Sequence, residues 1–208
     1  MIVTPTLDAE RELQAQGYRF VAGVDEAGRG AIAGPVAAAA VVLPVEAELP
    51  WLSLVRDSKQ LSPRVREYLS GLIQESGIAV GVGMVSPADI DGGNIVKATR
   101  AAMRLAVSQL DCDVDFLLID ALTLPDVALP QRGIVRGDQT CLSIACASIV
   151  AKVSRDRYMR ELDTAYPGYG LACHKGYPTR QHLSSLRRLG CCAVHRRSFA
   201  PVRRLIEG

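Results

Sequence analysis

Two apolar runs on either side of a glycine-rich loop constrain this fold more than any other feature of the chain. Arg19 to Asp25 (RFVAGVD) and Pro35 to Leu43 (PVAAAAVVL) are short, mostly apolar and bounded by glycine, the pattern of buried strands. The tight loop between them predicts a hairpin-like start to a sheet, and Ile78 to Val85 (IAVGVGMV) reads as a third strand. The first strand ends on two adjacent acids, Asp25 and Glu26. The most apolar stretch, Ala31 to Val45, is broken by Gly34, Pro35 and Pro44 and falls short of the roughly 20 residues that span a bilayer. It is a core strand, and no membrane association is expected.

The chain has 208 residues, enough for one domain with a full core but tight for two. Hydrophobic residues make up 49% and charged residues 22%, which fits a packed globular protein and not a disordered one. The net charge of +2 conceals a division. Residues 152 to 208 carry 12 Lys/Arg against 4 Asp/Glu, whereas residues 1 to 151 carry 12 against 18. An acidic body joined to a basic end suits a cation at one place and a polyanion at another. None of the six cysteines forms a C-x-x-C pair, which disfavours zinc. The opening MIVTPTLDAERELQAQG lacks the basic start and apolar core of a secretion signal, so reduced thiols and a cytoplasmic location are expected.

Further along, Ser62-Pro63 opens a helix through Ile73, and Ser86-Pro87 repeats the device. A helix from Asn94 to Leu110 sets Ile95, Ala98, Ala102, Leu105 and Ala106 on one face. Phe116 to Asp120 (FLLID) is a fourth strand that again ends on an acid, and Ile134 to Arg136 a short fifth before Gly137-Asp138. Cys141 to Tyr166 reads as one long helix, apolar in its first half and charged in its second; Pro178 to Leu189 is another, and Ala200-Pro201 starts a last one. Strands followed by alternating helices predict an α/β sandwich with a basic helical C-terminal part.

The acids at strand ends carry the chemistry. Asp25, Glu26, Asp120 and Asp138 all follow apolar segments, where a carboxylate stays only if it is paired or holds a cation. Neighbouring strand residues face opposite sides, so Asp25 and Glu26 are expected to share a site only if the strand stops at Asp25 and Ala27-Gly28 bends the chain. Oxygen ligands in this number favour Mg²⁺ or Mn²⁺, and a pair of such ions is a clamp for phosphodiester hydrolysis. The bland alternative for each acid alone is a turn or cap. Gly28-Arg29-Gly30-Ala31-Ile32-Ala33 also fits G-x-G-x-x-A, but a dinucleotide fingerprint must open a helix, and Gly34-Pro35 with a β-rich run follows instead.

Six blocks in order, VDEAGRGAIAGPV, DSKQLSP, LLIDAL, GDQTCLSIACASIVAKVSRDRYM, HKGYPTRQH and HRRSFAPV, cover residues 21 to 202 and resemble ribonuclease HII, the bacterial type 2 ribonuclease H family. The resemblance implies a ribonuclease H-like fold, a five-stranded mixed sheet flanked by helices with a basic helical C-terminal region. It also implies one domain over 1–208, with a core at about 19–166 and a substrate-binding helical region at about 167–208. The family's activity would be metal-dependent cleavage on the 5′ side of ribonucleotides in RNA/DNA hybrids and in ribonucleotide-containing duplex DNA, leaving 3′-OH and 5′-phosphate. Asp25, Glu26, Asp120 and Asp138 match its four acidic catalytic residues, with Mn²⁺ or Mg²⁺ as cofactor.

Gly28, Arg29 and Gly30 match the loop that senses the ribose 2′-OH, the group that separates RNA from DNA. Tyr177 matches a tyrosine that stacks on the neighbouring deoxyribose, and Lys59 in DSK is a candidate phosphate contact. His174, His182 and His195 are expected to pack or hydrogen-bond, and a monomer is expected. Ala121 departs from the family, where glycine is frequent after the acid, and Cys141 and Cys146 stand at helix positions usually held by alanine or serine. A mere hybrid-binding protein would gain nothing from gathering carboxylates near a polyanion.

Overall fold

The computed structural model describes residues 4–208. Five strands form one sheet: β1 (Val21–Ala27), β2 (Val36–Val42), β3 (Ala79–Val85), β4 (Phe116–Asp120) and β5 (Gln131–Ile134), in the order β3-β2-β1-β4-β5. β1–β2 and β2–β3 are antiparallel, while β4 and β5 run parallel to β1, so the sheet is mixed. The helices are α1 (Asp8–Ala15), α2 (Pro63–Ser76), α3 (Pro87–Asp91), α4 (Ile95–Ser108), α5 (Gly137–Thr140), α6 (Leu142–Ala165), α7 (Leu171–His174), α8 (Arg180–Leu189) and α9 (Ala200–Glu207).

The run VAAAAVV is buried on both faces, and its alternation divides the core. Ala38, Ala40 and Val42 pack with Ala98, Ala102, Met103 and Ala106 of α4. Ala39 and Val41 pack on the other side with Leu69 and Ile73 of α2 and the first half of α6. Alanine and glycine are needed because the helices come close to the sheet. A Cβ on Gly23 of β1 would lie 2.2 Å from the Ser143 carbonyl carbon, and one on Gly83 of β3 would lie 2.2 Å from the Ala102 carbonyl oxygen. α6 is buried through Ala151, and its charged second half emerges apart from Val153, Arg155 and Met159, which stay buried.

Capping fixes the helix starts. Ser62, Ser86, Asn94 and Thr179 each accept a backbone N–H from the first turn. The start of α6 is held from elsewhere: Glu10 of α1 is buried, and its Oε1 accepts the Ser143 N–H at 2.8 Å. Two expectations need correction. β5 spans Gln131–Ile134 instead of Ile134–Arg136, because Arg136 takes a left-handed conformation (φ 57°) and turns the chain into α5. β1 continues through Glu26 to Ala27, with Glu26 paired to Ala38 and Ala27 to Ala37; the bend comes only at Gly28, with φ 93°.

Candidate active site

The continuation of β1 changes how its two acids meet. Asp25 lies on the α6 face, buried, and its Oδ1 accepts the Glu26 N–H at 2.7 Å. Glu26 leaves the strand on the other face. The last β1–β4 pair is Val24 with Ile119, so beyond Val24 the sheet is open on that side and the longer Glu26 side chain reaches the same cleft. Asp120 ends β4 and joins them from the neighbouring strand, held by the Gly137 N–H at 2.7 Å from its Oδ1. The cleft encloses about 210 Å³ and is lined by Asp25, Glu26 and Asp120, with Gly28, Arg29, Gly30 and Tyr177 also contributing to its wall.

Its electrostatics are strained. Burial, then the charges of Glu26 and Asp120, pushes the Asp25 carboxyl well above the ordinary carboxylate range. Burial raises Glu26 as well, against the opposing pull of Arg29. Asp120 is raised by burial first and further by Asp138, with the Gly137 N–H opposing. Arg29 Nη1 donates to Glu26 Oε1 at 3.1 Å, but Glu26 Oε2 is buried without a hydrogen-bond partner. Among the described residues no three acidic, histidine or cysteine side chains converge closely enough to hold a metal ion as they stand. The carboxylates ring an open cleft instead, the arrangement suited to an ion that keeps waters or takes oxygens from a substrate.

Asp138 and Lys59 form the edge of the site. Asp138 is buried at the start of α5, and Lys59 Nζ lies 3.3 Å from its Oδ2 and 3.9 Å from Asp57 Oδ1. Burial lowers the Lys59 pKa, but Asp57 and Asp138 outweigh it and raise the pKa overall. Lys59 is therefore tied to the acids of the protein itself, with most of its side chain exposed. Ser58, Ser148 and Lys152 also line the cleft. Sequence reasoning passed over them because serines and a lysine in helical segments carry no local signal.

The glycine loop and the Tyr177 loop form the opposite wall. The two glycines differ in kind: Gly28 has φ 93°, and a Cβ there would meet Arg155 Nε at 2.0 Å. Gly30 has room, since its Cβ would first meet Tyr177 Cε1 at 3.9 Å. Beneath the wall lie two fully buried arginines that sequence reasoning also missed. Arg155 of α6 donates to the carbonyls of Pro35 (2.8 Å), Ala33 (3.1 Å) and Lys175 (2.9 Å), so one side chain joins both loops. Arg196 donates to the carbonyls of Gly34 (2.9 Å) and Arg29 (3.0 Å), and burial pulls its pKa down to about 9.

The three histidines sit behind Tyr177, in the packing role expected of them. His182 Nδ1 faces the Tyr177 carbonyl at 2.9 Å and must donate to it. Its Nε2 then accepts from His195 Nε2 at 3.2 Å, and His195 Nδ1 accepts the Cys192 N–H at 3.1 Å. His174 stacks on His182 at 4.1 Å, takes the Gly176 N–H on Nδ1 and donates from Nε2 to the Tyr169 carbonyl. Every ring nitrogen is satisfied with all three rings neutral. Burial, then the neighbouring His182, lowers the His195 pKa to about 4, and burial lowers that of His182.

A mixed five-stranded sheet with acids at the ends of two adjacent central strands, and helices on both faces, defines a ribonuclease H-like protein. The ribonuclease HII family profile matches residues 22–202. A ribonuclease HII of Dehalococcoides mccartyi is 52% identical over 207 residues, covering 100% of this chain and 98% of the relative. The ribonuclease H2 of Pyrococcus horikoshii superposes with a TM-score of 0.76 at 26% identity, covering 91% of this chain and 98% of that one. Bst-RNase HIII, solved in complex with Mn²⁺, shares the fold with a TM-score of 0.72 at 18% identity, covering 90% of this chain and 69% of that one. The chain belongs to the ribonuclease HII family and is a ribonuclease H-type endonuclease. Among the described residues no helix is long and apolar enough to cross a membrane.

Proposed function

We propose that this endonuclease hydrolyses the phosphodiester on the 5′ side of ribonucleotides, both in RNA/DNA hybrids and at single ribonucleotides in duplex DNA, leaving 3′-OH and 5′-phosphate. The observation that carries the reading is the cleft itself: three carboxylates, one of them with a buried oxygen that has no partner, face a glycine loop and a tyrosine across about 210 Å³. Asp25, Glu26 and Asp120 would hold divalent cations, Mg²⁺ or Mn²⁺, with Asp138 completing a second site. The residues fit that role, because a cation relieves both the unpartnered Glu26 Oε2 and the like-charge strain on Asp25. When bound, such ions supply Lewis-acid activation of water and stabilise a departing oxygen.

The remaining work falls to the chain's own groups. The Gly137 N–H fixes the orientation of Asp120. Gly30, with no side chain of its own, leaves space beside Tyr177 for a sugar, so that backbone can approach a 2′-OH while the ring packs on the next deoxyribose. Arg29 keeps an exposed guanidinium edge for a backbone phosphate while it braces Glu26. Lys59, exposed over most of its length, offers a second phosphate contact beside Asp138. Residues 167–208 would act as the substrate-binding helical region, and the protein would work as a monomer in the cytoplasm, in keeping with its six free cysteines.

The test is a DNA duplex with one embedded ribonucleotide, incubated with the protein and Mg²⁺ or Mn²⁺ beside an all-DNA duplex. Cutting 5′ of the ribonucleotide alone is expected. Equal cutting of both duplexes, or of neither, would refute the reading. Asp120→Asn is expected to lower the rate roughly a thousandfold or more, about 4 kcal/mol of transition-state stabilisation, with binding largely retained.

A further inference from the structure

Beside the acidic cleft runs a larger groove, of about 870 Å³, that the activity described above does not use. Arg64 and Arg66 of α2, Lys152 and Arg160 of α6, and Lys175 after α7 line it, against two acids, Glu67 and Asp156. Both acids are already engaged. Glu67 Oε1 pairs with Arg157 at 2.9 Å and with Arg160 at 3.8 Å, and Asp156 pairs with Lys152 at 2.6 Å. Arg66 braces the backbone, donating to the Ser58 carbonyl at 2.8 Å and to that of Leu61. Arg64 is exposed and unengaged by any acid among the described residues. The wall therefore keeps an excess of positive charge that no protein group answers. Tyr68 adds an exposed aromatic ring to it.

An ordinary solvated surface would scatter such charges over a convex face. Here they line a concavity, and Lys152 belongs both to its wall and to that of the cleft. Lys152 sits in a positive field: burial lowers its pKa and Arg155 and Arg66 add to that, in spite of Asp156 beside it. A chain of phosphates spaced along a backbone is the ligand that matches a row of cations leading away from a hydrolytic cleft.

We infer that the groove is a second phosphate-binding site, seating the backbone of the nucleic-acid strand that continues past the scissile phosphate. Lys152 is the step between cleft and groove, and Arg64 and Arg160 are the outer contacts. Glu67 limits the affinity by holding Arg157 and Arg160. This inference rests on the hydrolytic reading of the neighbouring cleft.

The experiment measures the dissociation constant of a ribonucleotide-containing duplex, in Mg²⁺ on the Asp120→Asn background, across a series of salt concentrations. Arg64→Gln/Arg160→Gln is expected to weaken binding at low salt and to reduce the log–log salt slope by roughly 1 to 2, at about 0.9 for each phosphate no longer neutralised. Glu67→Gln is expected to shift affinity the other way. With Asp120 intact, the double variant should raise KM with little change in kcat. Because these side chains lie on the surface, an unchanged melting temperature confirms that the fold is intact. Unchanged affinity and slope, with cleavage by the unaltered protein intact, would overturn the groove and spare the function. Weaker binding by the double variant, in a protein that never cuts at ribonucleotides, would do the reverse.

Discussion

Asp25 and Arg155 are both buried charges in the same small region, yet their surroundings are opposite. Arg155 makes no salt bridge among the described residues, but three backbone carbonyls hold its guanidinium in place. Asp25 has like charges for neighbours, and Glu26 next to it keeps a buried oxygen with no donor. Incomplete hydrogen bonding alone does not mark a site, since Arg196 Nη2 and Glu10 Oε2 are also buried without partners; the carboxylates differ in gathering like charge at the wall of a cleft. The two halves of the cleft divide along this line. The carboxylate wall stores unfavourable electrostatics, and the glycine–tyrosine wall is fixed by arginines that only brace it.

The sharpest break in this comparison is a neutral residue on each side. Asp25→Asn is expected to abolish cleavage, by roughly a thousandfold or more, while raising the melting temperature of the metal-free protein, since it removes a like-charge conflict. Arg155→Met is expected to lower stability by about 3–5 kcal/mol in denaturant titrations, because three buried carbonyls lose their donor. A stabilised Arg155→Met would undo the contrast.

The two loop glycines refine it. Gly30→Ala should leave the melting temperature unchanged and lower ribonucleotide cleavage about 10- to 100-fold, about 1.4–2.8 kcal/mol, because its Cβ fits the protein but occupies space beside Tyr177. Gly28→Ala should instead destabilise the fold, since its Cβ meets Arg155 and its φ is 93°. Equal loss of stability in both variants would remove the distinction.

A smaller effect is expected from acid. His195 titrates at about 4 in the folded protein against an ordinary value of 6.5, so the unfolded chain binds the extra proton first. Its contribution to stability is complete above pH 6.5 and is lost as the pH falls toward 4, by order of 1–3 kcal/mol. His182 is shifted in the same direction, so the two losses reinforce each other. Denaturant midpoints between pH 7 and 4 should fall less steeply in His195→Gln. The smallest effect concerns Ala121, whose φ is 51°. Ala121→Gly should stabilise by about 1 kcal/mol in denaturant titrations, because glycine adopts that left-handed conformation without strain.

Much of this was legible in the chain. The strands were readable because apolar runs of β-forming residues stand between glycines, and α6 because its apolar half gives way to charge at one point. β5 was displaced because QRGI has neither alternation nor an apolar run, and only its parallel pairing with β4 makes it a strand. Asp25, Glu26 and Asp120 were readable together because ionised side chains seldom end buried strands, and the three line one cleft; Asp138 stands outside that lining, beside Lys59 at the start of α5. How Glu26 reaches the cleft was not readable, since that depends on where β4 stops pairing with β1, a property of two distant segments. Arg155 and Arg196 were illegible for the opposite reason: arginine in a helix or a basic tail reads as surface, and only the carbonyls converging on each side chain reveal it as core.

The ties made by Arg196 and by the pairing of Ala33 with His195 join the second strand's entrance to a segment near the end of the chain. On a ribosome, the carboxylates of β1 and β4 emerge well before residue 196 is made. The glycine–tyrosine wall is completed only by a segment that follows all five strands. A nascent chain thus passes through a stage in which the carboxylates of its cleft have been made but the opposite wall has not, and the two become one cleft only after residue 196 has emerged.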